Sequence, residues 1–394
     1  MNKAVHVVGV GMTAFTQPGA SESYSVMGAR ATRAALKDAG IDYQDVQQAY
    51  VSYVYGDSAC GQAALYGVGL TGIPIVNVNN SCASGSTGLF LGRQAIESGN
   101  VECVLVLGFE QMARGAPDAV FTDRDDPAQR LLDAMRELQD VDSVAPRTAQ
   151  LYGGGGRAHM QLFGTRPEIF ARIAVKARRH AANNPYAVFR EPVTVEQVMS
   201  SPAIFSPLTR LQCCPPTCGA AAAVLCSRTF ANRHGLDARV SIRAQALTTD
   251  SNTSFDEGDM RKIVGYDLSR NAARQVYEMA GIGPKDIRVC ELHDCFTTNE
   301  LLSYEALGLT PAGSAEKFVA DGDNTYGGRV VTNPSGGLLS KGHPRGATGV
   351  AQCAELVWQL RGQAGRRQVE HARLGLQHNI GLGGACVVTL YESG

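Results

Sequence analysis

The sequence predicts an α/β protein made of two similar halves, the first of them interrupted by a long insertion. Three observations carry this prediction. Short apolar runs of strand length alternate with segments of helical composition, the pattern of a layered α/β structure. The last third repeats the element order and spacing of the first, which points to an internal duplication. Between them, residues 118–217 are richer in charge, Pro and Gly and carry few strand signals. A chain of 394 residues is also long for one hydrophobic core, so two or three core units are expected.

Taken in order, residues 4–10 form an apolar strand run beside Gly9 and Gly11. Residues 23–39 read as a helix stopped by Gly40, a residue suited to the left-handed position after a helix end. Residues 49–54 and 75–78 are β-rich, 84–97 is a helix ending before Gly99, and 103–107 is a buried strand. In the insertion, helical stretches are expected near 129–139 and 168–182, and Gly153–Gly156 as a flexible run. Residues 220–226 are small and apolar, fit for a crowded sheet centre. The second half then reads as strand 240–246, helix 269–279 closed by Gly281, strand 288–292, helix 298–307, helix 346–360, and strands 374–377 and 385–390. The resulting division is 1–117 with 218–247, the insertion 118–217, and 248–394.

The bulk composition excludes several function classes. Lys and Arg number 36 against 37 Asp and Glu, a net charge of −1, without the basic excess of a nucleic-acid-binding surface. Eleven cysteines without regular spacing argue against a disulfide framework and for a reducing, cytoplasmic setting. No apolar run approaches the roughly 20 residues that span a bilayer. The opening residues are too short and broken for a signal peptide, and the final Tyr391-Glu392-Ser393-Gly394 is not a peroxisomal address.

Two segments read as halves of one site. Asn79-Asn80-Ser81-Cys82-Ala83-Ser84-Gly85 puts a thiol at a strand-to-helix junction. Helix N-termini offer unpaired N–H groups and partial positive charge, which favour a thiolate nucleophile. The plainer reading of any one cysteine is a small buried hydrophobe, and it suits Cys60, Cys103, Cys226, Cys290, Cys353 and Cys386, which lie in apolar runs. Ser340-Lys341-Gly342-His343-Pro344-Arg345-Gly346 puts an imidazole in a shaped turn before a helix, a place that commonly holds catalytic groups.

Two further clusters accompany them. His293-Asp294-Cys295-Phe296 follows a strand and opens a helix. His378-Asn379-Ile380-Gly381 ends in a glycine-rich turn that is either a tight hairpin or a source of oxyanion-hole N–H groups. Cys213, Cys214 and Cys218 lack the second Cys/His pair of a zinc site, so no metal is expected. Gly153–Gly156 lacks the Lys-Ser/Thr of a phosphate loop. Arg172, Lys176 and Arg179 recur at helical spacing and should share a face, either solvated or holding phosphates.

Together with Asn183-Asn184-Pro185-Tyr186, Leu211-Gln212-Cys213-Cys214-Pro215 and Gly322-Asp323-Asn324-Thr325-Tyr326-Gly327-Gly328, these segments give a resemblance that runs over essentially the whole chain. The sequence resembles the thiolase superfamily, in particular its sterol-carrier-protein-x type. The resemblance implies two five-stranded halves of βαβαβαββ order in a five-layer αβαβα sandwich, with a loop domain inserted in the first half. It implies that Cys82 forms an acyl-enzyme, that His343 activates it, and that His293 helps hold the enolate oxygen. It implies a second oxyanion hole from the N–H groups of Cys82 and Gly381.

Ordinary members carry a second reactive cysteine where this chain has Asn379, so Cys295 is the implied acid/base, since the departing carbanion needs a proton. Coenzyme A and acyl-CoA are implied as substrates, with no permanently bound cofactor. His159 and Met160 match a pair lining the pantetheine channel, Cys214 falls near a pantetheine-contacting Ser, and the face at Arg172, Lys176 and Arg179 is offered to the 3′-phosphate. A homodimer or dimer of dimers is implied, without nucleic-acid or membrane partners.

The expected activity is cleavage of 3-ketoacyl-CoA by coenzyme A, releasing acetyl-CoA or propionyl-CoA, by reversible Claisen chemistry in fatty-acid or sterol side-chain degradation. A related aldolase for steroid side-chain thioesters would need neither Cys82 nor the Gly-His-Pro turn. A non-catalytic lipid-binding scaffold would rely on a sterol-carrier domain that these residues do not contain.

Overall fold

The computed structural model describes residues 4–115, 121 and 123–394. The expected boundary at 117/118 lies outside the described residues. Among the described residues there are twelve strands: β1 (Val5–Met12), β2 (Gln48–Ser52), β3 (Ile75–Val78), β4 (Cys103–Glu110), β5 (Ala203–Phe205), β6 (Leu208–Thr209), β7 (Gly219–Ser227), β8 (Val240–Thr248), β9 (Val289–Glu291), β10 (Val331–Thr332), β11 (Leu374–Gly381) and β12 (Ala385–Ser393). Ten form one sheet in the order β10-β9-β11-β12-β8-β1-β7-β4-β2-β3, and β5 and β6 form a separate hairpin.

The duplication is legible outward from the centre of that sheet, as β1-β7-β4-β2-β3 on one side and β8-β12-β11-β9-β10 on the other. In the first half β2 runs parallel to β3 and β4, and β4 antiparallel to β7. In the second, β9 runs parallel to β10 and β11, and β11 antiparallel to β12. The two five-stranded halves meet edge to edge through two residue pairs of β1 and β8, Val5 with Ile242 and His6 with Ser241.

Helices complete the layers. Tyr24–Ala39 lies on β1 and β7 of the first half, and Tyr266–Ala280 on β8 and β12 of the second. Ser84–Glu97 and Arg345–Arg361 pack on each other between the halves, the latter against β7, β4 and β11. Three of the apolar cores lie along these layers. Leu36, Leu105 and Val224 belong to the first. Leu89, Val106, Val350 and Leu356 surround the middle helices. Leu268, Val276, Leu376 and Val388 fill the third. β1, β4 and β7 are buried along their whole length, which is why they read as continuous apolar runs. The first helix ends as expected: Ser23 accepts from the Val26 N–H, and Gly40, at φ 75°, donates to the Leu36 carbonyl.

The insertion contributes the helices Gln129–Leu138, Arg147–Phe163, Pro167–Ala181 and Val195–Met199. One expectation there is corrected. Gly153–Gly156 is not a flexible run but a buried part of the helix Arg147–Phe163. The glycines permit close packing: a Cβ at Gly153 would stand 2.8 Å from Phe205, one at Gly155 would stand 2.9 Å from Val264, and one at Gly156 would collide with Thr298. Among the described residues no helix is long and apolar enough to cross a membrane.

Candidate active site

Cys82 sits in the turn between β3 and the helix Ser84–Glu97. Ser81 holds φ at 51°, and the turn is tied by its own polar side chains. Asn79 Oδ1 accepts from the Ser81 N–H at 3.0 Å. Ser84 Oγ donates to the Ser81 carbonyl at 2.6 Å and accepts from the Asn80 N–H at 2.8 Å. The helix then crosses Arg345–Arg361 almost backbone to backbone. A Cβ at Gly85 would lie 2.8 Å from the Gly346 carbonyl, and one at Gly349 would collide with the Ser86 N–H. Small residues at this crossing bring the starts of both helices together, and with them Cys82 and His343.

The reactive atoms of Cys82, His293 and His343 all lie within 4.8 Å of one another. The two imidazoles meet edge to face, with centroids 5.1 Å apart. His343 Nδ1 lies 2.7 Å from Thr348 Oγ1, whose own hydroxyl donates to the Pro344 carbonyl at 3.0 Å. Thr348 therefore accepts from Nδ1–H, and Nε2 keeps a free lone pair. Burial, then Arg345 and Lys341, lower the His343 pKa to about 3, so the ring is neutral and can take a proton.

His293 is set the other way round. Asn379 Nδ2 donates to His293 Nδ1 at 3.0 Å, while Asn379 Oδ1 accepts from Ser86 Oγ at 2.8 Å. Ser86 Oγ in turn accepts from Gln377 Nε2 at 2.8 Å, so its own proton goes to Asn379. This chain orients the amide and leaves the His293 proton on Nε2, a donor. Burial, then His343, His378 and Arg345, hold the His293 pKa well below the usual imidazole value.

Cys295 is buried beside them. Burial, then Cys214 and Cys82, push its thiol well above the ordinary range, while the nearby Tyr152 hydroxyl pulls the other way. It therefore stays protonated, a proton donor in waiting. Tyr152 comes from the insertion helix Arg147–Phe163, and its ring stacks on Phe296 at 5.1 Å. The Cys214 N–H donates to the Cys295 carbonyl at 2.9 Å. Asp294 faces away and accepts from the Leu338 and Leu339 N–H groups at 2.7 and 3.3 Å, tying this cluster to the turn that carries His343. Gly381 ends β11 against the Cys82 turn; a Cβ there would stand 3.2 Å from the Ala83 N–H and collide with the Asn80 carbonyl.

The structure thus gathers Cys82, His293, His343, Cys295, Gly381 and Cys214. It does not gather the rest of the expected set. His159 is enclosed, its ring nitrogens engaged by Thr165 at 2.8 Å and Glu305 at 3.0 Å, and offers no atom to a channel. Met160 packs, half-buried, on the core of the second half. Lys176 does not share an open face with Arg172 and Arg179: it is buried, ion-paired to Glu300 and bonded to Thr332 at 2.7 Å. The apolar side of Pro167–Ala181 turns Lys176 inward, where only an acid partner makes its burial tolerable. Arg172 and Arg179 are exposed, Arg172 paired with Glu168 at 2.7 Å. The orienting roles of Thr348 and Asn379, and Tyr152 altogether, were missed by reading the sequence. Cys82, His293 and His343 would also suit a metal by geometry, though both histidines spend their other nitrogen on Thr348 and Asn379.

An open cavity of about 440 Å³ lies apart from Cys82, between Tyr24, Tyr55, Asp57, Cys60, Gln111 and Met112.

Known proteins share this arrangement of chain. Sterol carrier protein 2 of Oryctolagus cuniculus is 55% identical over 394 residues, covering 99% of this chain and 72% of that protein. An acetyl-CoA acetyltransferase of Methanothermobacter thermautotrophicus is 37% identical over 394 residues, covering 98% of this chain and 99% of that one. Among solved structures, an Ltp2-ChsH2(DUF35) aldolase superposes with a TM-score of 0.82 at 25% identity, over 99% of this chain and 98% of the other. Residues 5–229 match the family model "Thiolase, N-terminal domain" and residues 250–390 match "Thiolase C-terminal domain-like". The duplicated halves and these two matches agree, and the chain belongs to the thiolase family.

Proposed function

We propose that the protein is a thiolase that cleaves 3-ketoacyl-CoA with coenzyme A through a Cys82 acyl-enzyme. The observation that carries this reading is the meeting of the Cys82 thiol with two neutral imidazoles within 4.8 Å, one with a free lone pair and one with a free N–H. His343 Nε2 takes the Cys82 proton, and the sulfur attacks the 3-keto carbon. The N–H groups of Cys82 and Gly381 hold the tetrahedral oxyanion. The C2–C3 bond then breaks, its electron pair going to the acetyl-CoA or propionyl-CoA enolate. His293 Nε2–H and the protonated His343 hold the enolate oxygen, and Cys295 gives its proton to C2.

Coenzyme A enters next and gives its thiol proton to Cys295. Its sulfur displaces Cys82 from the thioester, His343 returns its proton to the Cys82 sulfur, and the shortened acyl-CoA is released. Each covalent step is easier than direct cleavage. The reverse Claisen condensation uses the same groups. Arg172 and Arg179 are the exposed cations offered to the 3′-phosphate in this reading, without Lys176.

The similarity to an aldolase supports a second reading, carbon–carbon cleavage without an acyl-enzyme. Intact-protein mass after mixing with a 3-ketoacyl-CoA separates the two. An acyl adduct on the wild type, lost in Cys82→Ala, is expected. No adduct with short linear, 2-methyl-branched or steroid-derived substrates, with cleavage still observed, would favour the aldolase.

A further inference from the structure

Arg345 opens the helix that follows His343 and Pro344. Its guanidinium lies 4.9 Å from the Tyr55 ring centroid and donates to the Tyr55 hydroxyl through Nη1. That clamp uses one of five N–H donors. Two buried arginines, Arg361 and Arg367, are ion-paired with Asp38 and Glu355. Among the described residues Arg345 has no such partner.

Glu110 is the carboxylate whose field reaches Arg345, but its oxygens are already committed. They accept from the N–H groups of Tyr55 at 2.9 Å, Gly346 at 3.0 Å and Val54 at 3.1 Å. Burial opposes the guanidinium charge, whereas Cys82, Tyr55, Cys214 and Glu110 around it favour it. The balance favours the charged form, so a half-buried cation without an acid partner is left with free donors for an anionic ligand. Here the cation lies two residues after His343 and near enough to Cys82 for the two to interact electrostatically.

The substrate carries two sources of negative charge. The phosphates of coenzyme A lie at the far end of the pantetheine arm from the thioester. With the keto carbon at Cys82 they cannot also reach the residue two places after His343. A carboxylate on the acyl chain can, and the free edge of a guanidinium takes one in paired hydrogen bonds. We propose that Arg345 is a specificity-determining residue that selects 3-ketoacyl-CoA substrates whose acyl chain carries a carboxylate. This inference rests on the thiolase reading above.

The test compares 3-ketoadipyl-CoA with 3-ketohexanoyl-CoA, six-carbon chains that differ in the terminal carboxylate. The wild type is expected to favour the carboxylated substrate in kcat/KM. Arg345→Met is expected to lower the ratio of the two kcat/KM values by about 100-fold, the range of a charge-assisted hydrogen-bonded pair. Arg345→Lys should restore part of the ratio, because it keeps the charge. A wild-type ratio near one, or a ratio unchanged in Arg345→Met, overturns the proposal. Equal losses on both substrates, with a raised KM for coenzyme A, overturn it too and assign Arg345 to a phosphate.

A calorimetric arm separates failure of this inference from failure of the thiolase reading. In a Cys82→Ala background, adipyl-CoA should bind more tightly than hexanoyl-CoA, and adding Arg345→Met should erase the difference. Equal binding of the two ligands overturns the inference whether or not the wild type turns over.

Discussion

Asn379 Nδ2 stands 3.0 Å from His293 Nδ1 and donates to it. The amide orients the ring and takes no part in acid–base chemistry itself. It leaves the His293 proton on Nε2. The first prediction follows. Asn379→Ala should lower kcat by about 100- to 1,000-fold, the usual cost of a misplaced oxyanion donor. Asn379→Asp should do no better, because a carboxylate accepts at Nδ1 and draws the ring proton to the wrong nitrogen. Steady-state thiolysis assays of both variants check this, with circular dichroism to confirm folding.

Tyr152, from the inserted segment, lies near Cys295, and its hydroxyl favours the thiolate left after the proton is given up. Tyr152→Phe keeps the ring that stacks on Phe296 and removes only the hydroxyl. The expected result is turnover slowed about tenfold, within the range of one hydrogen bond to a charged group, while Cys82 still acylates in a rapid-quench experiment. Equal slowing of acylation and turnover would count against the pairing of Tyr152 with Cys295.

The pH profile gives a third prediction. Free imidazole titrates near 6.5, whereas burial, Arg345 and Lys341 bring His343 to about 3. A lowered pKa keeps the base unprotonated as the pH falls. The acid limb that His343 imposes on kcat/KM should therefore lie well below pH 6.5. Removing the Arg345 charge takes away a repulsion on the protonated ring, so Arg345→Met should move that limb upward. A limb that stays near 6.5 in both proteins would show that the enclosed site is hydrated in solution.

Lys176 tests the phosphate assignment. It is 5% exposed, bonded to Thr332 and paired with Glu300, whose side chain is fully enclosed. Lys176→Met leaves a buried carboxylate without its cation, a change that costs about 3–5 kcal/mol. Urea denaturation should report that loss, and the KM for coenzyme A of the folded fraction should change little. A raised KM without loss of stability would return Lys176 to the phosphate site.

Much of this was legible in the chain itself. Gly40 ends a helix because glycine alone takes the left-handed turn without a steric cost. β7 declares itself because nine buried residues of small volume stand in a row. Cys82 and His343 were legible because each sits in a turn of unusual composition before a helix. Three things were not. The run Gly153–Gly156 looked flexible, since local sequence shows missing side chains but not the Phe205, Val264 and Thr298 that fill the space. Lys176 looked solvated, since helical spacing shows a shared face but not the Glu300 lying 124 residues away. Tyr152 gave no local signal at all.

The sequence by itself determined the duplicated α/β halves and the two turns that carry Cys82 and His343, because each depends on contacts between residues near in the chain. The tertiary structure decided how the site is wired. Asn379 with His293 and Arg345 with Tyr55 are fixed by how helices and strands cross, 86 and 290 residues apart in the chain. A hydrogen bond depends on where two atoms come to rest, and that position is set only when the layers pack.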